Sequence, residues 1–302
     1  MKRDFISFAS WSGQELSDML ALARAIKSGA LKNFAPLAQK SAALIFEKQS
    51  LRTRVSFEVG IAQLGGHPVF LQQETIGIAT RESVHDVASV LSHYNELIVA
   101  RTTKHQTLVQ LAESATVPVI NAMTDLVHPC QVLADFFTLQ EVGKSSPASK
   151  IVFVGDGNNI VNSLLELAEK LPMHLVISSP TGYEPHPSVL EQAQSAKVST
   201  IELISDPVTA VTNADVVYTD VWPTARDSGR RQMVFKQHQV NAQLLKHAKP
   251  DCVVMHRMPA NRGEEITREV LDGKHSIVLQ QAENRLHIQK GIIAYLLGHR
   301  PQ

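Results

Sequence analysis

Residues 46–58 read FEKQSLRTRVSFE and place two arginines and two hydroxyl side chains where an amphipathic helix begins. The apolar run 42–46 is typical of a buried strand, and apolar residues recur at helical spacing from Thr53 to Gly65. The stretch is therefore predicted to be a strand-to-helix turn. Cations at a helix start are unfavourable, because the helix dipole already supplies positive charge there. We expect this turn to bind an external anion.

Outside this turn, apolar runs alternate with helical patterns along the chain. A helix is predicted over residues 14–28, with Ser12 as its N-terminal cap and Gly29 at its end. Further strands are predicted at 68–71, 97–100, 117–120, 151–154, 174–177, 214–218 and 252–255. Helices are predicted at 82–94, at 105–114, from 128 onward and at 160–170. This alternation is typical of parallel sheets that are covered by helices.

Residues 143–149 divide the pattern into two similar halves. The segment contains few apolar residues and many turn formers, so it is the predicted linker. No short internal repeat or low-complexity tract interrupts either half. The predicted fold class is α/β, with two lobes that each contain a mostly parallel sheet covered by helices.

Composition limits the kinds of partner the protein can have. The chain has 302 residues with 29 basic and 29 acidic side chains, so no overall field attracts nucleic acid or an anionic membrane. Its two cysteines, Cys130 and Cys252, lie far apart, which disfavours a disulfide framework and suits a reducing compartment. The sequence shows neither a signal-peptide pattern nor an apolar run of about 20 residues. We expect a cytoplasmic protein that binds neither nucleic acid nor membrane.

Polar side chains follow most of the predicted strands. In open α/β sheets, ligands bind at the carboxyl ends of the strands. These ends carry the segments 50–53, 128–131, 155–159, 220–222 and 256–259, together with Arg101. The first segment suits a phosphate, because helix N–H groups and hydroxyls can donate hydrogen bonds while Arg52 grips two oxygens.

Other interpretations of these strand ends stay open. One is a surface ion network in which Arg52 and Arg54 pair with Glu47 and Glu58, and another makes His128 a capping or core histidine. The segment GDGNNI at 155–160 lies where a dinucleotide fingerprint would lie, but isoleucine replaces its third glycine, so a nicotinamide-dependent oxidoreductase is a remote alternative. The sequence has neither a nucleoside-triphosphate loop nor histidines at the spacing of a zinc helix.

Seven motifs, taken together, resemble the transcarbamylase family and in particular its ornithine-using branch. In the family's order they are FEKQSLRTRVSFE at 46–58, HPCQVLAD at 128–135, GDGNN at 155–159, TGYEP at 181–185, TDVW at 219–222, PANRGEE at 259–265 and QAENRLH at 281–287. The resemblance implies an aspartate/ornithine carbamoyltransferase-like fold, in which linking helices join two lobes with the active site between them. It also implies a carbamoyl-phosphate-binding domain over 1–142 plus 276–302 and an amine-binding domain over 150–275.

The same resemblance implies the reaction. Carbamoyl phosphate would give its carbamoyl group to the δ-amine of L-ornithine, forming L-citrulline and phosphate, as in arginine biosynthesis. No metal or organic cofactor is expected, because carbamoyl phosphate is already activated and catalysis is mostly positioning and electrostatics. The implied assembly is a homotrimer or a multiple of trimers, with active sites at subunit borders.

The family's functional residues carry over onto matching positions of this sequence. For carbamoyl phosphate they are Ser50, Leu51, Arg52, Thr53, Gly77, Arg101, His128, Gln131, Arg257, Met258 and Arg285. The expected catalytic residues among them are Arg101, His128, Thr53 and Arg257, the first three as donors to the developing oxyanion. For the amine they are Asn159, Asp220, Thr224 and Ala225, with Asp220 meeting an ammonium group by charge.

Several positions depart from the family's pattern. Leu51 replaces a threonine, and Gly77 replaces a glutamine that the family often has in a segment lent by a neighbouring subunit. Arg257 replaces a cysteine near the attacking amine, and PTARDSGRR at 223–231 replaces the Ser-Met-Gly loop. Arg257 could bind an extra carboxylate together with Arg226, Arg230 or Arg231, or it could turn away. Two alternatives therefore stay open: a carbamoyltransferase for another amine such as an N-acylornithine, and a non-catalytic paralogue.

Overall fold

A computed structural model describes residues 2–78, 80–223 and 233–301 of the chain. The chain divides into two compact units, the first formed by Met1–Ala134 with Asn284–Gln302 and the second by Asp135–Glu283. Each unit contains one parallel sheet, of four strands in the first and five in the second. The predicted fold class, two mostly parallel sheets covered by helices, is confirmed.

The first unit begins with helix α1 and has the sheet order β2-β1-β3-β4. Its elements are α1 Gly13–Lys27, β1 Ser41–Phe46, α2 Leu51–Gln63, β2 His67–Gln72, α3 Gln73–Ile76, α4 Val84–Tyr94, β3 Leu97–Arg101, α5 His105–Ser114, β4 Val119–Met123 and α6 Pro129–Glu141. Strand β4 begins two residues later than predicted, because Pro118 has no N–H group to donate to a neighbouring strand.

The predicted capping of α1 is confirmed. The Ser12 hydroxyl accepts from the backbone N–H of Glu15 at 3.2 Å, and the Glu15 carboxylate accepts from the backbone N–H of Ser12 at 3.0 Å. This reciprocal pair satisfies two N–H groups that the first helical turn leaves without partners. At the other end, Gly29 adopts a left-handed backbone with φ +71° that favours glycine.

The second unit has the sheet order β7-β6-β5-β8-β9. Its elements are β5 Lys150–Val154, α7 Asn159–Ala168, β6 His174–Ser178, α8 Pro187–Ala196, β7 Thr200–Leu203, α9 Pro207–Val211, β8 Val216–Thr219, a 3₁₀ turn Lys236–His238, α10 Ala242–Leu245, β9 Val253–His256 and α11 Arg268–Leu271. Strand β7 was not predicted, because it is a half-exposed edge strand and so lacks a continuous apolar run. The final helix, α12 Val278–Leu296, crosses the chain division at Asn284.

Helix α12 packs against α1 and α2 within the first unit. Gly291 lies so close to α1 that an added Cβ would come within 2.7 Å of the Met19 carbonyl oxygen. On α12, Lys290 donates to the side-chain oxygen of Gln63 at 2.8 Å, and the ring of Tyr295 meets Trp11 edge-on at 5.8 Å. These contacts hold the segment that follows Asn284 against the first unit.

The order of the strands sets where ligands can bind. In the first sheet, the chain runs from β1 to β2 on one side and then returns to β3 on the other side of β1. In the second sheet, β5 is followed by β6 and β7 on one side and by β8 on the other. Reversals of this kind open a crevice at the carboxyl ends of the two strands that flank them. The candidate sites are therefore the ends of β1 and β3 in one unit and of β5 and β8 in the other.

In the part of the chain that the structure describes, none of the helices is both long enough and sufficiently hydrophobic to cross a membrane.

Candidate functional site

The first candidate site lies where β1 and β3 end side by side. Phe46, the last residue of β1, pairs with Arg101, the last residue of β3. The backbone N–H of Glu47 then donates to the Arg101 carbonyl oxygen at 3.0 Å, so the chain after β1 stays beside Arg101. The predicted strand-to-helix turn follows at once, since α2 begins at Leu51. Arg101 and the turn thus share one end of the sheet, as predicted.

The start of α2 has the features of an anion site. Ser50 is the N-terminal cap residue, but its hydroxyl makes no capping hydrogen bond, and the first turn contains no acidic side chain. The N–H groups of a first helical turn have no partners within the helix, and the dipole favours a negative charge beside them. Leu51 is 72% exposed, so the chain presents its backbone there and contributes no polar side chain.

Thr53 connects α2 to α12 through a buried hydrogen bond. Arg285 donates from Nη2 to the Thr53 hydroxyl, and both residues are almost fully buried in the first unit. Burial raises the pKa of the Cys130 thiol to about 12, and the positive charge of nearby Arg285 partly offsets this increase. Cys130 lies between His128 and Gln131 at the start of α6, and both of these side chains are buried. The structure therefore brings together three predicted phosphate-binding segments that are distant in sequence.

The alternative ion network is present at Arg54. Arg54 donates from Nε to Glu58 at 2.9 Å, and its guanidinium lies 3.4 Å above the centre of the Phe70 ring. The Glu47 carboxylate accepts from the backbone N–H of Thr103 at 2.6 Å. Arg54 is therefore held by Glu58 of its own helix and by Phe70 of β2. Its proposed role is structural, whereas Arg52 is the arginine proposed to bind the anion.

Gly77 occupies a left-handed turn just after α3. Its φ is +61°, and an added Cβ would come within 2.8 Å of the Arg81 Cβ. A glutamine, which the family often has at this position, would be strained in this backbone. Among the described residues, the hydrogen bonds of Gly77 reach only Gln73 and the segment 80–82. The left-handed turn thus accounts for a glycine at position 77. Within the described ranges, no hydrogen bond connects Gly77 to Thr53.

In the second unit, three strand ends lie side by side. Val154 of β5 pairs with Thr219 of β8, and Thr219 pairs in turn with His256 of β9. The residues that come next, Gly155, Asp220 and Arg257, therefore leave the sheet at the same level. This register brings together three predicted motifs that are spread over residues 155–257 of the sequence.

The glycine-rich segment after β5 serves packing within the protein. An added Cβ at Gly157 would come within 2.3 Å of the backbone of Glu184 and Pro185, and the Gly157 N–H donates to the Tyr183 carbonyl oxygen at 2.8 Å. The space that a dinucleotide fingerprint keeps for a pyrophosphate is thus filled by the chain's own 183–185 segment. This geometry weighs against the nicotinamide alternative.

Asp220 is 1% exposed, and both of its oxygens accept hydrogen bonds from the second unit. Arg257 donates from Nε to Oδ1 at 2.6 Å, and Asn158 donates from Nδ2 to Oδ2 at 2.8 Å. Burial would lower the pKa of Arg257, but the charge of Asp220 and the hydrogen bond to it, together with the charges of Tyr218 and Asp135, raise that pKa above its ordinary value. Arg257 therefore does not turn away from the predicted amine site; it forms an ion pair inside it.

A second carboxylate, Asp156, lies beside this pair. Burial, together with the negative charge of Asp220, raises the pKa of Asp156 to about 6. The predicted amine-binding residue Asn159 begins α7 close by and is buried. The other two predicted amine-binding residues, Thr224 and Ala225, lie outside the described residues, as do Arg226, Arg230 and Arg231.

The segment that carries Arg257 is held by a buried histidine. His256 accepts from the Met258 N–H at Nδ1, 2.9 Å away, so its other nitrogen carries the proton and donates to Glu265 at 3.0 Å. The same Glu265 oxygen accepts from the Asn261 N–H at 2.6 Å. The 256–261 segment, which includes the predicted ligand Met258, is therefore fixed from within its own unit.

Sequence reasoning missed part of this cluster. Asn158 and Asp156 both lie in the GDGNN segment, but the resemblance indicated only Asn159 as a ligand. A buried chain of hydrogen bonds from Tyr218 to Asp135 at 2.8 Å and from Gln281 to Asp135 at 2.8 Å was also not predicted. These partners lie 83 and 146 residues from Asp135, so only the fold reveals them.

Two models of known domains match the chain. The carbamoyl-P binding domain of aspartate/ornithine carbamoyltransferase matches residues 3–141, and the Asp/Orn binding domain of the same family matches residues 148–296.

Individual proteins match over nearly the whole chain. An ornithine carbamoyltransferase from Chlorobaculum tepidum is 47% identical over 306 aligned residues, covering 99% of this chain and 90% of that protein. An anabolic ornithine carbamoyltransferase from Pyrococcus furiosus is 43% identical, covering 98% of this chain and 96% of that protein. A solved ornithine carbamoyltransferase structure from Pyrococcus furiosus superposes with a TM-score of 0.94 at 41% identity, covering 98% of this chain and 97% of the other.

Proposed function

Because the chain belongs to the aspartate/ornithine carbamoyltransferase family, we propose that it transfers the carbamoyl group of carbamoyl phosphate to the δ-amine of L-ornithine. The products are L-citrulline and phosphate, and the reaction serves arginine biosynthesis. The observation that carries this proposal is the 47% identity, over 99% of this chain, to an ornithine carbamoyltransferase. The family and the enzyme class predicted from the motifs are confirmed.

The first unit suits carbamoyl phosphate. The proposed domain for this substrate comprises residues 1–142 plus 276–302, and its phosphate would be held by Ser50, Arg52, Thr53, Gln131 and Arg285, with the backbone of Leu51. The anion-favouring start of α2 and the buried bond from Arg285 to Thr53 support this assignment. Arginine and first-turn N–H groups bind phosphate oxygens well, because both direct donors at the anion.

The proposed chemistry is an attack by a neutral amine on the carbamoyl carbon. A C–N bond forms, negative charge builds on the carbonyl oxygen, the C–O bond to phosphate breaks, and the amine loses a proton. Arg101, His128 and Thr53 are the proposed donors to the developing oxyanion. Arg52 and Arg285 would offset the charge on the leaving phosphate. Fixed donors of this kind stabilise the transition state without having to reorganise during the reaction.

The second unit suits the amine. The proposed amine domain comprises residues 150–275, in which Asp220 would meet the α-ammonium group and Asn159 the α-amino and α-carboxylate groups by mixed hydrogen bonding. The burial of both residues at the ends of β8 and β5 supports this assignment. Thr224 and Ala225 stay proposed amine ligands, and Gly77, Met258 and Arg257 stay proposed contributors to the carbamoyl-phosphate site.

A panel of amines tests the proposal. Purified full-length protein is incubated with carbamoyl phosphate and, in turn, ornithine, N-acetylornithine, N-succinylornithine, putrescine or aspartate, and the carbamoylated products are measured. We expect ornithine to be the preferred acceptor. An inert ornithine beside a reactive N-acylornithine would replace the substrate but keep the chemistry. Binding of carbamoyl phosphate in a calorimeter, with no turnover of any amine, would instead indicate a non-catalytic paralogue.

We also propose that the working assembly is a homotrimer or a multiple of trimers. An apolar stripe on α2 supports it, because Leu51, Val55 and Val59 recur at intervals of four residues and are 72%, 44% and 39% exposed. An open cavity of about 580 Å³ adjoins this stripe and is lined in part by Leu51, Val55 and Phe70. Exposed apolar patches commonly mark protein interfaces. A cytoplasmic location stays a prediction.

A further inference from the structure

Asp220 is a buried carboxylate whose charge is already balanced within its own unit. The Arg257 guanidinium lies 2.6 Å from one oxygen, and the Asn158 amide lies 2.8 Å from the other. We infer that Arg257 competes internally with the α-ammonium group of the amine substrate, and thereby determines which amines the protein accepts. This inference rests on the proposed function, in which Asp220 receives that ammonium group.

The electrostatic argument concerns a carboxylate that one cation already neutralises. A second cation gains little by approaching such a pair, and it is repelled by the first cation. Because the Asp220 side chain is 1% exposed and that of Arg257 is 16% exposed, water screens this repulsion only weakly. An incoming α-ammonium group must therefore displace the guanidinium or bind beside it, and either route weakens binding.

Arg257 cannot easily leave this position, because its backbone is fixed on both sides. His256, the preceding residue, belongs to β9 and bonds to buried Glu265 at 3.0 Å. Met258, the following residue, donates its N–H to the ring of His256 at 2.9 Å. The fixed backbone and the 2.6 Å hydrogen bond from Nε to Asp220 together keep the guanidinium beside this carboxylate, so competition with the substrate is a property of the folded protein.

A second carboxylate prevents the cluster from becoming neutral. Asp156 is partly buried near Asp220, and among the described residues it makes neither an ion pair nor a side-chain hydrogen bond. Arg257 balances the charge of Asp220, and the second carboxylate beside Asp220 favours one further positive charge. This arrangement explains how an amine that carries an α-ammonium group can still bind, although less tightly than it would without Arg257.

The inference predicts a discrimination among amines. Ornithine carries an α-ammonium group, whereas 5-aminopentanoate has the same terminal amine and carboxylate but no α-nitrogen. Arg257 should weaken the binding of the first compound and leave that of the second nearly unchanged. Removing the guanidinium should therefore increase the preference for ornithine by about tenfold or more, as expected when a buried charge changes its partner.

The test uses the variant Arg257→Met, which keeps an unbranched side chain but removes the charge. Binding of L-norvaline, which has the α-ammonium and carboxylate groups of ornithine but no side-chain amine, is measured by calorimetry with carbamoyl phosphate present. Because norvaline cannot react, this binding reports recognition separately from catalysis. The KM for ornithine, the KM for carbamoyl phosphate and kcat are measured in parallel.

We expect Arg257→Met to bind norvaline at least about tenfold more tightly and to lower the KM for ornithine. Arg257→Lys should resemble the natural protein, because it keeps a cation near Asp220. Arg262→Met is the matched control, since Arg262 pairs with exposed Asp272 at 2.9 Å in the same unit. It should leave all four values unchanged.

Equal or weaker norvaline binding by folded Arg257→Met would overturn the inference. Should this variant not fold, Arg257→Gln replaces it with the same expectation, because glutamine can still donate to Asp220 without a charge. Citrulline formation by the natural protein separates this failure from a failure of the proposed function. If citrulline forms and the variants bind norvaline alike, only the inference is wrong; if no citrulline forms, the proposed function is wrong.

Discussion

At the residue scale, the two candidate sites differ in how their charges are balanced. In the first unit, Arg285 donates to the neutral hydroxyl of Thr53, and both residues are almost fully buried. In the second unit, Arg257 is paired with Asp220 at 2.6 Å, and Asp156 adds a second negative charge. The charges of the second unit therefore suit a substrate that carries positive charge, whereas the doubly charged phosphate is proposed for the first unit.

Replacing Thr53 tests the proposed oxyanion contact. Thr53→Val keeps the shape of the side chain and removes its hydroxyl, so kcat should fall by about 100-fold or more, as it does when one oxyanion donor is lost. The measurement is steady-state citrulline formation. Ser56→Ala is the control, because the Ser56 hydroxyl donates only to the Thr53 carbonyl oxygen at 3.2 Å on the same helix. Equal kcat values for the two variants would exclude this role for Thr53.

Asp156 should couple stability to pH. Its pKa is raised from 3.8 to about 6, so between these values the folded protein binds more protons than the unfolded chain, and the group destabilises the fold as pH rises. Asp156→Asn should therefore increase the free energy of unfolding at pH 7.5 by up to about 3 kcal/mol. The gain should largely vanish at pH 4, where the carboxyl group is protonated in the folded protein and only partly ionised in the unfolded chain. Urea unfolding at the two pH values measures this difference, and an equal effect at both would contradict it.

A site residue could be predicted from the sequence when neighbouring residues indicate its position, but not when its role depends on a contact with a distant part of the chain. Motifs next to strand ends indicated Thr53 and Asp220 directly, because a strand followed by a polar residue can be read from a few positions. The partner of Asp220 could not be predicted, since Arg257 lies 37 residues away and the contact depends on the pairing of β8 with β9. The sequence left open whether Arg257 faces the site, and the register of these strands gives the answer.

At the element scale, the predicted elements that matched best were those with strong local signals. The cap of α1 and the strand-to-helix turn at β1 and α2 both have distinctive residue types at fixed spacing. Edge strand β7 and helix α8 were missed, because each has one half-exposed face and little apolar periodicity. Local propensity thus predicted the buried strands of both sheets and failed at the margin of the second sheet.

The glycine of the GDGNN segment tests how this element is packed. Gly157→Ala would place a Cβ within 2.3 Å of backbone atoms at Glu184 and Pro185, and backbone cannot move aside as a flexible side chain can. We expect a loss of about 2 kcal/mol or more in the free energy of unfolding, in the range of overpacking effects. Gly60→Ala is the control, since its Cβ would meet only side chains at 3.4 Å on a helix. Similar unfolding curves for both variants would contradict this account of Gly157.

At the scale of the whole molecule, the chain is built twice from the same scheme. Each unit has a parallel sheet whose strand order reverses, and in each unit the predicted residues gather beside that reversal. Fold class and family followed from the sequence because seven motifs occur in order along it. The residues of a subunit interface could not be predicted from these motifs, because an interface depends on which apolar residues remain exposed after folding.

The exposed stripe on α2 predicts how the assembly can be broken. Val55→Glu places a charge within the stripe formed by Leu51, Val55 and Val59, so burying this surface in an interface would become unfavourable. The natural protein should sediment as three chains of 33.2 kDa or a multiple of three, and the variant as smaller species. Analytical ultracentrifugation makes the comparison. A natural protein that sediments as a single chain would contradict the proposed trimer.

The most direct test of carbamoyl transfer at the α2 turn is the stoichiometry of the reaction in a matched pair of arginine variants. The natural protein should convert carbamoyl phosphate and ornithine into equal amounts of citrulline and phosphate. Arg52→Ala should abolish this conversion, whereas Arg54→Ala should retain most of it, because Arg54 is already paired with Glu58 at 2.9 Å. Absence of citrulline with the natural protein, or full activity of Arg52→Ala, would contradict the account.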